Sequence, residues 1–221
     1  MANLKIIKKK LPSGLRLLMI PRSESETVAF MVMVGVGARY ETLKQAGLSH
    51  FLEHMFFKGT KKRPDKREIA ELLDGVGAYF NAFTADECTG YYVKCAKENL
   101  GLAADVVADI LLGSLFPEKE IETEKGVIIE EINMYTENPM RHIEHMWRKA
   151  IYGEHPLGRR IDGGVETVSG FSREDLIDYA KKNYRAGNIV VVVAGNFDEE
   201  KTEKLTKLSL IHISEPTRPL Y

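Results

Sequence analysis

The five residues His50-Phe51-Leu52-Glu53-His54 constrain this chain more than any other stretch in it. On a helix, two histidines four residues apart lie about 40° apart around the axis and roughly 6 Å along it, so both imidazoles can reach one metal ion. Glu53 falls about 60° to the other side of His50, where a carboxylate can face a water on that metal without being a ligand. The pattern offers Zn2+ two nitrogen ligands and a general base. It also demands a third ligand from elsewhere, because an apolar helix such as LSHFLEHMFF can equally hold histidines as core residues.

The chain has the material for a sizeable core: 221 residues, 44% of them hydrophobic. Lys plus Arg number 31 against 32 Asp plus Glu, a net charge of -1, which argues against a general nucleic-acid or membrane-surface binder. The runs Lys8-Lys9-Lys10 and Lys61-Lys62-Arg63 read as solvated faces. Cys88 and Cys95 fall at odd spacing in one expected strand, on opposite faces, which argues against a disulfide between them. No stretch approaches the roughly 18 to 20 apolar residues of a membrane span, and the first apolar run is too short for a signal peptide. A cytoplasmic location is the expectation, with the mitochondrial matrix the alternative for a mature chain.

Taken in order, Lys5 to Lys9 and Leu15 to Pro21 read as strands joined by the turn Pro12-Ser13-Gly14. The run Thr27 to Val36 is nearly continuous in apolar residues and reads as a central strand covered on both faces. The H-x-x-E-H helix runs from Gly47 to Gly59, and a second amphipathic helix covers Asp65 to Asp74. Ala78 to Thr84 and Cys88 to Ala96 form a hairpin. Helices follow at Glu98 to Leu115, Glu118 to Tyr135, 140 to 152 and from Ser172; Ile189 to Ala194 is a buried strand and Asp198 opens a last helix. The fold expected is an α/β (α+β) sandwich of one mixed or antiparallel sheet with helices largely on one face. Residues 1–208 read as one domain. Residues 209–221 carry two prolines and no continuing apolar pattern, and read as an irregular tail of foreign character.

The helix Glu118 to Tyr135 offers the missing carboxylate, and its periodicity separates the candidates. With Ile121 at 0° and about 100° per residue, Ile128, Ile132 and Tyr135 cluster between roughly 320° and 20°, the buried face. Glu131 falls near about 280° and Glu124 near about 300°, at the edge of that face, while Glu130 falls near about 180° and reads as solvated. Glu124 and Glu131 stand two turns apart, one above the other. A buried carboxylate needs a cation or strong donors, so Glu131 is expected as third ligand and Glu124 as an outer partner that orients a histidine or the water. His142 and His145 form a rival pair on one helical face, but it lacks a well-placed catalytic carboxylate. His155, before Pro156, reads as structural.

The motifs PSGLRLL, GVGARYE, GLSHFLEHMFFKGT, YFNAFTADECTGYY, EKGVIIEEINMY and HPLGRRIDG occur in that order. Together they make the chain resemble the N-terminal domain of the pitrilysin/insulinase zinc peptidases, the inverzincins, and most of all their processing-peptidase branch, over roughly residues 5 to 200. The resemblance implies one zinc held by His50, His54 and Glu131, with Glu53 as general base and Glu124 in the position of the family's additional glutamate. It further implies that the edge strand Asn81-Ala82-Phe83-Thr84 binds substrate backbone by strand addition.

The same resemblance implies a second, similar domain that completes a closed chamber and supplies an Arg/Tyr pair; that domain is absent from this sequence. The expected function is therefore a zinc-dependent endopeptidase acting on peptides or unfolded polypeptide, with this chain alone poorly active or inactive. The partner expected is a second domain or partner chain, with neither nucleic acid nor membrane. A non-catalytic assembly subunit of the same family is the alternative, disfavoured because His50, Glu53, His54 and Glu131 are all intact.

Overall fold

The computed structural model describes residues 5–210. Gly14, at φ +90°, turns the chain back on itself between the first two strands, a conformation that glycine adopts without a Cβ penalty. The strands are β1 (Ile7–Lys10), β2 (Arg16–Pro21), β3 (Thr27–Val34), β4 (Tyr79–Thr84), β5 (Thr89–Ala96) and β6 (Ile189–Gly195). They form one sheet of order β1-β2-β6-β3-β5-β4. The β2–β6 pair is parallel and every other pair antiparallel, so the sheet is mixed.

The helices are α1 (Leu48–Met55), α2 (Lys66–Asp74), α3 (Leu100–Gly113), α4 (Glu118–Glu137), α5 (Pro139–Tyr152), α6 (Val165–Gly170), α7 (Arg173–Asn183) and α8 (Glu199–Ser209). Among the described residues, no helix is long and apolar enough to cross a membrane. Cys88 and Cys95 are both free thiols.

Register explains how the sheet builds the core. Phe30 stands opposite Val193 on one side and Val93 on the other, and Val32 likewise stands between Val191 and Tyr91. All six are at most 2% exposed. This face joins Phe51, Leu52, Val106, Ile128 and Leu176 from the helices in a single apolar core. The expectation that Thr27 to Val36 is covered on both faces is corrected here. Burial along β3 alternates, with Ala29, Met31 and Met33 only half-buried. An antiparallel neighbourhood with helices on one side lets apolar residues occupy the open face, so a continuous run is a poor guide to double coverage.

Two features seat α1. Gly47, its N-cap, has φ +96°, and a Cβ there would stand 2.8 Å from the Asp162 carbonyl oxygen and 2.9 Å from the Gly163 Cα. The segment around Asp162 thus packs directly onto the start of the helix. Glu41, 3% exposed, accepts hydrogen bonds from the backbone N–H groups of Gly47 (2.8 Å) and Ser49 (2.6 Å). A carboxylate at a helix N-terminus satisfies donors that have no partner within the helix and complements the helix dipole.

On α4 the expected buried face is the observed one: Ile121, Ile128 and Ile132 are 2%, 0% and 6% exposed, and Glu130 is exposed. The last helix continues through Ser209, and Leu210 is buried. The rest of the tail reading, 211–221, lies outside the described residues.

Candidate metal centre

Helices α1 and α4 bring His50, His54 and Glu131 together. The Nε2 atoms of the two histidines are 3.3 Å apart, and Glu131 Oε2 lies 3.8 Å from each of them. A tetrahedral ion with ligands at about 2.05 Å separates its donor atoms by about 3.3 Å, so the donor set is of the right size and chemistry for zinc. Among the described residues this is the one grouping of three such side chains able to hold a metal ion.

The surroundings orient both imidazoles toward one point. His54 donates from Nδ1 to Glu124 Oε1 at 2.8 Å, which fixes the proton on that nitrogen and leaves the Nε2 lone pair facing His50 and Glu131. Lys58 Nζ binds the other oxygen of Glu124 at 2.6 Å. Burial would raise the Glu124 carboxyl, but the hydrogen bonds from His54 and Lys58 outweigh it and hold it below the ordinary value. Burial, helped by the adjacent His54, depresses His50 to about 4, so it is neutral near pH 7 and able to ligate. Its Nδ1 is buried without a hydrogen-bond partner.

Glu53 points toward the sheet edge. Its carboxylate accepts a 2.5 Å hydrogen bond from the Thr84 hydroxyl at the end of β4. Burial raises the Glu53 carboxyl and the Thr84 bond opposes that rise. With His50, Phe83, Thr84 and Glu131, it lines a cleft of about 390 Å3 that α5 and the segment Arg159 to Asp162 also line.

The edge residues divide. Phe83 and Thr84 reach the cleft, whereas Asn81 and Ala82 lie farther along β4. The Asn81 side-chain oxygen takes the Ala82 N–H at 2.9 Å, covering one donor of the edge. The rival histidines stay separate: the rings of His142 and His145 are 6.4 Å apart by centroid, and His145 lines the cleft. His155 caps the turn at Pro156 by accepting from the Leu157 N–H at 3.2 Å.

Sequence reasoning missed Glu41, Lys58 and the arginines of the cleft wall. Lys58 stands four residues after His54, inside the helix expected to run to Gly59, but its partner Glu124 lies on another helix and the spacing within α1 does not disclose that contact. Glu41 acts through a loop that folds back on the helix, and no local periodicity carries that signal.

The family model for insulinase (peptidase family M16) matches residues 16–163, more than half of the chain. The chain belongs to the M16 peptidase family. A second model, the peptidase M16 inactive domain, matches residues 170–219.

M16 relatives include an uncharacterized zinc protease of Rickettsia felis, 41% identical over 192 residues, 87% of this chain and 46% of that protein. An uncharacterized zinc protease of Bacillus subtilis is 40% identical over 195 residues, 88% of this chain and 47% of that protein. The chain thus spans about half the length of these M16 relatives. Pitrilysin superposes with a TM-score of 0.85 at 25% identity, covering 96% of this chain and 23% of pitrilysin. A protease from Helicobacter pylori superposes at 0.91 with 24% identity, over 97% of this chain and 52% of the other, a likeness of fold.

Proposed function

We propose that this chain is the metal-bearing half of an M16 zinc metalloendopeptidase acting on peptides or unfolded segments. The observation that carries the reading is the meeting of His50 Nε2, His54 Nε2 and Glu131 Oε2 about one point, with Glu53 in the same cleft. The names of the relatives, zinc proteases, support zinc as the ion. One zinc would be held by these three side chains, with Glu124 and Lys58 behind His54.

When bound, the ion would act as a Lewis acid, lowering the pKa of water toward about 7 and polarising a peptide carbonyl. The chain's own residues do the rest. Glu53 takes a proton from the attacking water as the water oxygen bonds to the carbonyl carbon, then delivers that proton to the leaving nitrogen as the C–N bond breaks. The Thr84 hydroxyl keeps the carboxylate turned toward the cleft. The free side of β4, from Asn81 to Thr84, offers backbone groups to an extended peptide, a mode that reads little of its sequence. Asn81 must release the Ala82 N–H for that pairing.

Residues 1–208 constitute the N-terminal peptidase domain in this reading, and a second half or partner chain closes the cleft into a chamber. The complete donor set with its base favours catalysis over a purely assembling subunit. Zinc content and cleavage of an unfolded polypeptide test the reading together. The chain alone should bind one zinc and cleave poorly. In the enzyme completed by its second half, Glu53→Gln should keep the zinc and lose cleavage. A metal content near zero, or full activity in Glu53→Gln, would sink it.

A further inference from the structure

The cleft at the metal centre is also lined by four arginines, Arg141, Arg148, Arg159 and Arg160. Two of them are neutralised within the fold: Arg148 by Asp86 and Arg160 by Asp162. The other two have no carboxylate within salt-bridge distance among the described residues. Arg141, exposed on α5, lies over the Tyr135 ring, 4.9 Å from its centroid. Arg159, half-buried, donates from Nη1 to the backbone oxygen of Glu41 at 2.9 Å. Its Nε is buried without a partner.

The nearby acids do not cancel this charge. Glu41 holds the start of α1 through two backbone N–H groups and only partly offsets Arg159. Glu53 is held by Thr84, and Glu131 faces the two histidines. Glu144 alone remains as an exposed acid in that cleft. A dication at the metal centre would offset the charge of Glu53 and Glu131, which leaves the unpaired guanidiniums of Arg141 and Arg159 to attract an anionic ligand.

Resting on the peptidase reading above, we infer that Arg141 and Arg159 form a carboxylate-binding subsite, so that this peptidase favours peptides with an acidic group close to the scissile bond. A guanidinium presents a planar fork of donors that matches a carboxylate, the ligand chemistry a lysine pair would serve less selectively. The group supplied is either an Asp or Glu side chain or the free C-terminus of a short peptide. An extended peptide on β4 runs into this cleft at Thr84, since Phe83 and Thr84 share it with both arginines.

The test uses the zinc-loaded enzyme completed by its second half, as Glu53→Gln, which stops turnover, and measures binding of fluorescein-labelled alanine-rich peptides by anisotropy. One peptide carries a central Glu, its twin a central Gln, both with amidated ends; a third is the Gln peptide with a free C-terminal carboxylate. The Glu peptide should bind about tenfold tighter than its amidated Gln twin, a margin that shrinks as ionic strength rises.

Arg141→Gln and Arg159→Gln should each reduce that ratio. Arg141→Glu, a change on an exposed helix surface that the fold tolerates, should move the preference to a Lys peptide. A gain by the free-carboxylate peptide alone identifies the chain end as the ligand. Equal binding of all three peptides overturns the subsite and leaves the peptidase reading intact. Failure of every peptide to bind, with zinc in place, overturns both.

Discussion

The Thr84 hydroxyl donates a 2.5 Å hydrogen bond to the Glu53 carboxylate, joining the outer strand of the sheet to the helix of the two histidines. The strand proposed to bind substrate therefore also orients the proposed base. A donor to a carboxylate favours its charged form, so losing the bond raises its pKa. Burial already holds Glu53 above the ordinary carboxylate range, with Thr84 pulling the other way. In the enzyme completed by its second half, Thr84→Val should move the acid limb of the kcat/KM profile to higher pH, at unchanged zinc content. An unmoved limb would separate Thr84 from the base.

Zinc affinity should fall in a graded order set by distance from the donor set. Glu131→Gln removes the charge of the proposed third ligand and should cost the most. Glu124→Gln leaves His54 without its anionic partner and should weaken zinc by about 10- to 100-fold. Lys58→Met touches only the far oxygen of Glu124 and should weaken zinc least. Competition against a chromophoric chelator reads all three, and an unchanged affinity in Glu124→Gln would contradict the ordering role given to that carboxylate.

Glu41 is a structural prediction. Its carboxylate satisfies Gly47 and Ser49 at the start of α1 while 3% exposed. Glu41→Ala should lower stability by about 2 kcal/mol, the scale of a lost cap with charge-assisted bonds. The metal site should loosen with it, since His50 directly follows Ser49. Denaturant unfolding of the metal-free chain measures the first effect and zinc affinity the second.

What the sequence disclosed and what it hid divide along local periodicity. The 3.6-residue repeat of Ile121, Ile128 and Ile132 was enough to turn Glu124 and Glu131 inward and Glu130 outward, as found. The H-x-x-E-H spacing put two imidazoles on one side of α1 in the same way. Glu41, Lys58, Arg141 and Arg159 escaped because their positions depend on loops and on one element packing across another. The misjudged coverage of β3 has the same origin: apolar residues such as Met31 and Met33 give no signal of which face the helices leave open.

Acid should test the site from two opposed sides. His50 is depressed from 6.5 to about 4 by burial first and His54 second. For this group the unfolded chain binds more protons, so its stability contribution is full above pH 6.5 and is lost as pH falls toward 4, by about 3 kcal/mol. Burial raises Glu41 from 4.5 to about 6 against the pull of its N–H donors. Its contribution runs the other way, present below pH 4.5 and lost as pH rises through 6, by about 2 kcal/mol. The histidine contribution is the larger, but the difference is small, so single variants separate them better than the parent curve. Between pH 6.5 and 4, His50→Gln in the metal-free chain should gain on the parent as pH falls, and Glu41→Gln should lose on it. Parallel stability curves for either variant and the parent would show that its group titrates as in the unfolded chain, and so is not buried as described.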